Sequence, residues 1–421
     1  MYNSCIIFNK KEYQKRQDKL YMEAKMSILL IKDGDVYAPE HKGKKDILVI
    51  NDKIVFIDQN ILTSALNVIY KNIKIINASK CIIIPGHIDQ HVHINGAGGE
   101  GGPQYRTPPV PFSEFVKAGI TSVIGVLGTD GFARSLKALL MKARALEQEG
   151  ISTWIYTGAY EYPSPTITES VLSDIILIDK VIGLKIALSD HRASHPTVDE
   201  FRRATSEARA GGVLAGKAGV VHIHMGGEKQ GLSYLFDIIG NTEIPIEQFA
   251  PTHLNKKDKE LFKQVVEFGK MGGYIDLTAG VSGEEKSSKS IKPGKAIKRL
   301  LKNGVSIEKI TISSDGNGSL PKFNEKKEFV GMRIASVSSL HKEFINMVKE
   351  ENIPIEEAIQ VTSTNIAKHL KLDKKGEIRT GKDADIIVLD KDTLKIKHVI
   401  ARGKTLMEDE EVVKFGIFEK E

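Results

Sequence analysis

Cysteine is scarce in this 421-residue chain, with only Cys5 and Cys81 present. Two thiols cannot build a disulfide framework and have no metal-site spacing, so a reducing, cytoplasmic setting is expected. Long apolar runs are missing as well. None approaches the roughly 20 residues that a bilayer-crossing helix requires, so no membrane partner is expected. Excess charge of one sign is small, because 60 Lys and Arg oppose 54 Asp and Glu for a net +6. Residues 1–26 hold six basic against three acidic residues, which leaves only +3 on the other 395. No nucleic-acid footprint is expected from that balance. Lys10, Lys11, Glu12, Lys15 and Arg16 deny the N-terminus the apolar core of a signal peptide. What the chain does have is 41% hydrophobic and 27% charged residues. That composition supports a large core, usually more than one domain, and argues against a disordered chain.

Residues 1–25 are polar, mixed in charge and without sustained periodicity, and are expected to form an N-terminal extension. From Met26 the texture changes. SILLIKDGDVYA, KDILVINDKIVFID and IKIINASKCIIIP alternate apolar and polar residues around Asp-Gly and Asn-Asp turn signals. GKDADIIVLD and IKHVIARGK repeat that texture near the other end. Residues 26–84 and 376–421 are therefore expected to build one small β-sandwich domain from both chain ends. Between them, eight short β-rich segments alternate with amphipathic stretches such as TVDEFRRATSEARAGG. They are PGHIDQHVH, ITSVIGVLG, STWIYTG, VIGLKIA, AGVVHIHM, EQFAPTH, GGYIDLTA and KITISSD. Near-continuous apolar strands alternating with helices predict a parallel sheet. Eight such units predict an α/β fold, a (β/α)8 TIM-like barrel over residues 85–375. A doubly wound sheet is the alternative, but no Gly-x-Gly-x-x-Gly follows the first strand.

Chemistry-bearing residues cluster at the ends of these segments. His91 and His93 close the first, Lys185 lies in the fourth, His224 ends the fifth, His253 the sixth and Asp315 the eighth. Carboxyl ends of barrel strands share one rim, so these side chains can converge. In His-x-His both imidazoles point to one face of a strand. Imidazoles with a carboxylate suit zinc or a similar divalent ion. Each piece has a plainer reading: strand-end histidines, a salt-bridged lysine, an aspartate that forms a turn. Their conjunction over five strand ends points to a metal site. His222 and His224 form a second His-x-His, of which only His224 is assigned a role. His87, His191 and His195 are likewise given none, and Cys81 reads as a small core residue.

PGHIDQHVH, Lys185 in its apolar strand, the later histidines and SSDG resemble the amidohydrolase superfamily with a binuclear metal centre. GHIDQHVHINGAGGEGGPQYRTP, GVLGTDG, YTGAYEYPSPTIT, VIGLKIALSDHR, PTHLN and TISSDGNGS narrow the resemblance to its isoaspartyl (β-aspartyl) dipeptidase family. It runs from about Met26 to the C-terminus. The resemblance implies two divalent ions, most simply Zn2+. His91, His93 and Asp315 would hold one and His224 and His253 the other, bridged by Lys185 carbamylated by CO2. A bridging hydroxide would attack the side-chain amide of a β-Asp-Xaa dipeptide, with Asp315 as general base and then acid.

The same resemblance gives Glu100 the substrate ammonium, Arg192 a carboxylate, and Tyr160 the attacked carbonyl oxygen. Gly98, Thr129 and Ser319 are further substrate contacts. After PTHLN the family pattern leads one to expect a second carboxylate-binding arginine, whereas this chain has Lys256. Lysine keeps the charge and loses the rigid fork. A homo-oligomer, octameric by family analogy, is also implied. The rival readings are an amidohydrolase for cyclic amides or N-acyl amino acids, and a metal-free binding protein on the same barrel.

Overall fold

The computed structural model describes residues 26–69, 72–280, 290–324 and 328–419. The expected extension over residues 1–25 lies outside them. Five strands open the fold: β1 (Ile28–Tyr37), β2 (His41–Ile50), β3 (Lys53–Asp58), β4 (Ile73–Asn77) and β5 (Cys81–Pro85). Asn51 makes the expected turn between β2 and β3, with φ 55°. Asp33-Gly34 does not make a turn. It lies inside β1, where the pairing with β2 slips between Ile31 and Gly34. The reason is packing: a Cβ on Gly34 would lie 2.1 Å from Ile83. The pair therefore forms a bulge that lets β1 press against β5.

Eight strands follow, each matching one of the predicted segments. They are β6 (His87–Val92), β7 (Ile120–Gly125), β8 (Ser152–Gly158), β9 (Val181–Leu188), β10 (Val220–Met225), β11 (Phe249–Thr252), β12 (Ile275–Thr278) and β13 (Ile310–Ser313). Strands β6 to β11 form a parallel run in chain order, and β12 pairs with β13. A parallel bridge between Val92 and Gly316 brings the last unit back to the first, so the sheet curls in TIM-barrel fashion. A hairpin, β14 (Ser319–Phe323) and β15 (Phe329–Ile334), leaves the rim after β13.

The chain returns through β16 (Ile386–Asp390), β17 (Ile396–Ala401), β18 (Lys404–Glu408) and β19 (Glu411–Val412). These join β1–β5 in a nine-stranded sheet made from both chain ends, in the order β19-β18-β17-β16-β5-β1-β2-β3, with β4 on β1. Leu29, Ile31, Ile47, Ile54, Ile83, Ile386 and buried Cys81 share its core. Lys375 ties the sheet to the barrel, its Nζ 2.6 Å from both Asp385 and Ser152 of β8.

Helices begin where their sequence signals say. Thr197 and Glu200 form a capping box ahead of helix Val198–Ala215, and Gly216 ends it in a left-handed conformation. Among the described residues no helix is long and apolar enough to cross a membrane. The last helix of the barrel, Asn365–His369, packs against β13 and β6. There His369 stacks on Tyr274 at 3.8 Å and donates from Nε2 to the Glu247 carbonyl at 2.9 Å.

Burial lowers the His369 imidazole to about 4, against a small opposing effect of that hydrogen bond. A depressed folded value means that folding favours the neutral ring. The stability it contributes is complete above the unfolded value and is lost as pH falls toward about 4. His369→Gln is therefore expected to be the weaker protein near pH 7, with the gap to the parent closing by about 1.4 kcal/mol per pH unit between about 6.5 and 4. Urea unfolding of both proteins across that range checks this; parallel curves would refute it.

Candidate metal centre and substrate cavity

Strand ends deliver the predicted ligands to one place. Nε2 of His91 and Nε2 of His93 each lie 3.4 Å from Asp315 Oδ1. Lys185 Nζ lies 3.4 Å from His91 Nε2. His91, His253 and Asp315 offer ligand atoms within 4.8 Å of one another. Backbone conformation contributes to this convergence. His253 and Asp315, each just past its strand, have φ of 64° and 53°, a left-handed region that costs a non-glycine residue energy.

Burial sets the charge states. It drives the His91 and His253 imidazoles well below their usual range. Neutral imidazole is the form that ligates a metal. Burial also raises the Asp315 carboxyl, but nearby His253, His93 and Lys185 more than offset this and hold it below its ordinary value. Lys185 is fully buried. Burial lowers its ammonium to about 7. Among the described residues no carboxylate comes within ion-pair distance of it. Neutral imidazoles, an ionised carboxylate and an amine lacking a counter-charge fit a divalent-cation centre.

His224 joins the cluster in a different way. Its ring meets His253 edge-on at 4.6 Å. Its Nδ1 is 2.6 Å from the Tyr160 hydroxyl and its Nε2 is 2.8 Å from Asp190 Oδ2, so protein groups engage both nitrogens. Asp190 also accepts hydrogen bonds from Arg192 at 2.9 and 2.8 Å. Although burial raises the Asp190 carboxyl, those bonds and His224 pull it far below the carboxylate range.

Sequence reasoning left out three residues that the fold brings to this cluster. His222, assigned no role, lies fully buried with Nε2 2.9 Å from His91 Nδ1, and it stacks on Tyr156 at 4.9 Å. That contact fixes which His91 nitrogen faces the site, as partners of metal-binding histidines do. Its same-face spacing from His224 was an available signal. Asp190 stands in the SDHR motif two residues before Arg192 and orients it. Thr278, 2.6 Å from His253 Nδ1, gave no sequence signal. Of the other histidines left without a role, His87 pairs with His341 at 3.0 Å and His195 with Glu228 at 3.1 Å, while His191, largely exposed, lines the cavity above the cluster.

A cavity of about 500 Å³ opens above the cluster. Gly98, Glu100, Thr129, Tyr160, Arg192, Lys256 and Ser319, the predicted substrate contacts, all line it. The Glu100 carboxylate accepts from Thr129 at 3.0 Å, Arg192 at 3.3 Å and Ser319 at 2.6 Å. Gly98 has φ 92°, and a Cβ there would meet the Tyr105 carbonyl at 2.4 Å, so glycine is required in this loop. Across the cavity, Lys256 donates to the carbonyls of Met225 and Gly226, at the end of β10.

Comparison with known proteins agrees with this geometry. The model of the Amidohydrolase family matches residues 82–406. The crystal structure of β-aspartyl dipeptidase from the thermophilic keratin degrader Fervidobacterium islandicum AW-1, in complex with β-Asp-Leu dipeptide, is 43% identical. It covers 92% of this chain and 98% of that one, with a TM-score of 0.84. Dihydropyrimidinase from Brevibacillus agri NCHU1002, 18% identical with a TM-score of 0.64, covers 92% of this chain and 97% of its own and shares the fold. The dihydroorotase of Clostridium acetobutylicum is 24% identical over 409 residues, 87% of this chain and 90% of that protein. The chain belongs to the amidohydrolase family, and within it groups with the β-aspartyl dipeptidases.

Proposed function

We propose that this protein is a metal-dependent dipeptidase that hydrolyses the β-aspartyl (isoaspartyl) amide bond of dipeptides. One observation carries the reading: a cluster suited to divalent ions shares a cavity with a carboxylate, Glu100, and two cations, Arg192 and Lys256. A β-aspartyl dipeptide presents the complementary set, a free α-ammonium and two free carboxylates. The 43% identical relative bound to β-Asp-Leu supports the same substrate class.

His91, His93 and Asp315 would hold one ion, His224 and His253 a second, with zinc the best match to these donors. When bound, such ions supply Lewis-acid activation of water and of the amide carbonyl. The residues of the chain do the rest. The uncharged amine of Lys185 would add CO2, forming an N–C bond and releasing a proton, which would give the buried site an anion in place of the neutral amine. Asp315 accepts the proton of the attacking water and passes it to the leaving amine. Tyr160 donates its hydroxyl hydrogen to the carbonyl oxygen as negative charge develops there. To hold an ion His224 would release the Tyr160 hydroxyl, which would then be free for the substrate. Glu100 holds the ammonium, Arg192 forks onto the α-carboxylate, and Lys256 meets the carboxylate of the leaving residue. Gly98, Thr129 and Ser319 complete the wall around the aspartyl part.

In the same reading, residues 85–375 are the catalytic domain, while 26–84 and 376–421 form a small β-sandwich domain. The enzyme acts in the cytoplasm as a homo-oligomer, the octamer that the family resemblance implies.

Purified metal-replete protein with bicarbonate is expected to hydrolyse β-Asp-Leu and to spare α-Asp-Leu and an N-acyl amino acid, with Lys185→Ala inactive. Equal turnover of α-Asp-Leu would overturn the substrate assignment. Incubation with 13C-bicarbonate should give a carbamate carbon resonance that Lys185→Ala lacks; its absence from the active protein would rule out the modified lysine. Steady-state kinetics should separate two variants. Tyr160→Phe is expected to lower kcat by about 10²–10³. Lys256→Ala should raise KM with kcat little changed. A kcat loss in Lys256→Ala as large as that in Tyr160→Phe would remove Lys256 from the binding role.

A further inference from the structure

We infer that Asp276 is the positioning residue that sets the spacing of the metal ligands, by drawing three barrel strands onto one buried carboxylate. The inference rests on the metal-centre reading above. Asp276 lies in β12, between β11, which leads to His253, and β13, which leads to Asp315. It is 1% exposed. Its Oδ1 accepts from Gln90 Nε2 at 2.6 Å and Thr311 Oγ1 at 2.8 Å. Its Oδ2 accepts from Thr252 Oγ1 and Ser313 Oγ, each at 2.6 Å.

The donors are neighbours of the ligands. Gln90 immediately precedes His91, Thr252 immediately precedes His253, and Ser313 stands two residues before Asp315. Three of the four hydrogen bonds therefore fix a strand within two residues of a side chain that must reach the ion, and the fourth, from Thr311, holds the same strand as Ser313.

The barrel needs this at just these places. Its backbone ladder runs unbroken from β6 to β11 and again between β12 and β13. At the two seams the described residues show far fewer backbone links. Leu254 N donates to Asp276 O at 3.2 Å on one side, and His93 N to Gly316 O at 2.9 Å on the other. The Asp276 carboxylate spans both: Thr252 comes from β11 and Gln90 from β6. Gln90 Nε2 adds a 2.8 Å bond to Thr311 of β13. Side-chain hydrogen bonds thus hold the seams where the ladder is thin, and His91, His253 and Asp315 stand at those seams. A carboxylate suits the task because it is acceptor-only and takes two donors per oxygen, which an amide in its place cannot do.

The test compares the full-length protein with Asp276→Asn and Thr252→Val, each stripped of metal and titrated with Co2+ while the visible ligand-field spectrum is recorded. Asp276→Asn is expected to bind Co2+ about 10–100-fold more weakly, with a changed spectrum. Its kcat on β-Asp-Leu should fall while KM stays. Thr252→Val, which cuts a single tether, should move affinity and spectrum the same way by less, and it decides the matter if Asp276→Asn does not fold. Unchanged Co2+ affinity and spectrum in a folded variant would overturn the positioning role, whatever happens to thermal stability. A parent protein that takes up no Co2+ would overturn the metal-centre reading and this inference with it.

Discussion

Desolvation of Lys185 is the constraint around which the site is organised. A fully buried ammonium is costly unless an opposite charge meets it, and here its nearest polar neighbour is an imidazole at 3.4 Å. Burial resolves part of the conflict by lowering the ammonium to about 7 and by keeping the surrounding imidazoles uncharged. The CO2 addition proposed above would replace that cation with an anion and remove the rest. The same low-dielectric floor strengthens every charge interaction within it.

Above that floor the cavity carries charges of both signs. Glu100 and Arg192 touch each other at 3.3 Å, and Asp190 holds the guanidinium from behind. On the proposed reading an incoming zwitterion would exchange one pairing for another, so neither charged wall would be left bare when substrate leaves. Lys256 rests on two strand-end carbonyls, and in the proposed binding role it would be a softer grip than a guanidinium fork.

The dihydropyrimidinase and dihydroorotase likenesses mark how far a shared barrel reaches. The dihydropyrimidinase shares the fold at 18% identity, and fold by itself does not choose the amide. The rim loops that line the cavity here are the glycine-rich segment carrying Gly98 and Glu100 and the turn carrying Asp190 and Arg192.

Much of this was legible in the chain. The eight strand segments, the sheet built from both ends, and the placement of His91, His93, Lys185, His253 and Asp315 follow from period-two patterning and the strand-end rule. The motifs around Glu100, Tyr160 and Arg192 also pointed to residues that share the cavity. Asp33-Gly34 misled, because a turn signal is local whereas the bulge it forms depends on Ile83 of another strand. His222, Asp190 and Asp276 stayed hidden for a related reason. Their partners lie 131, 34 and 186 residues away, at His91, His224 and Gln90. The sequence by itself determined which residue types stand at the strand ends and therefore what chemistry the rim can hold. Only the tertiary structure decided which of them touch, because contact across a barrel depends on register and curl, and these are set by packing far outside the window of any local pattern.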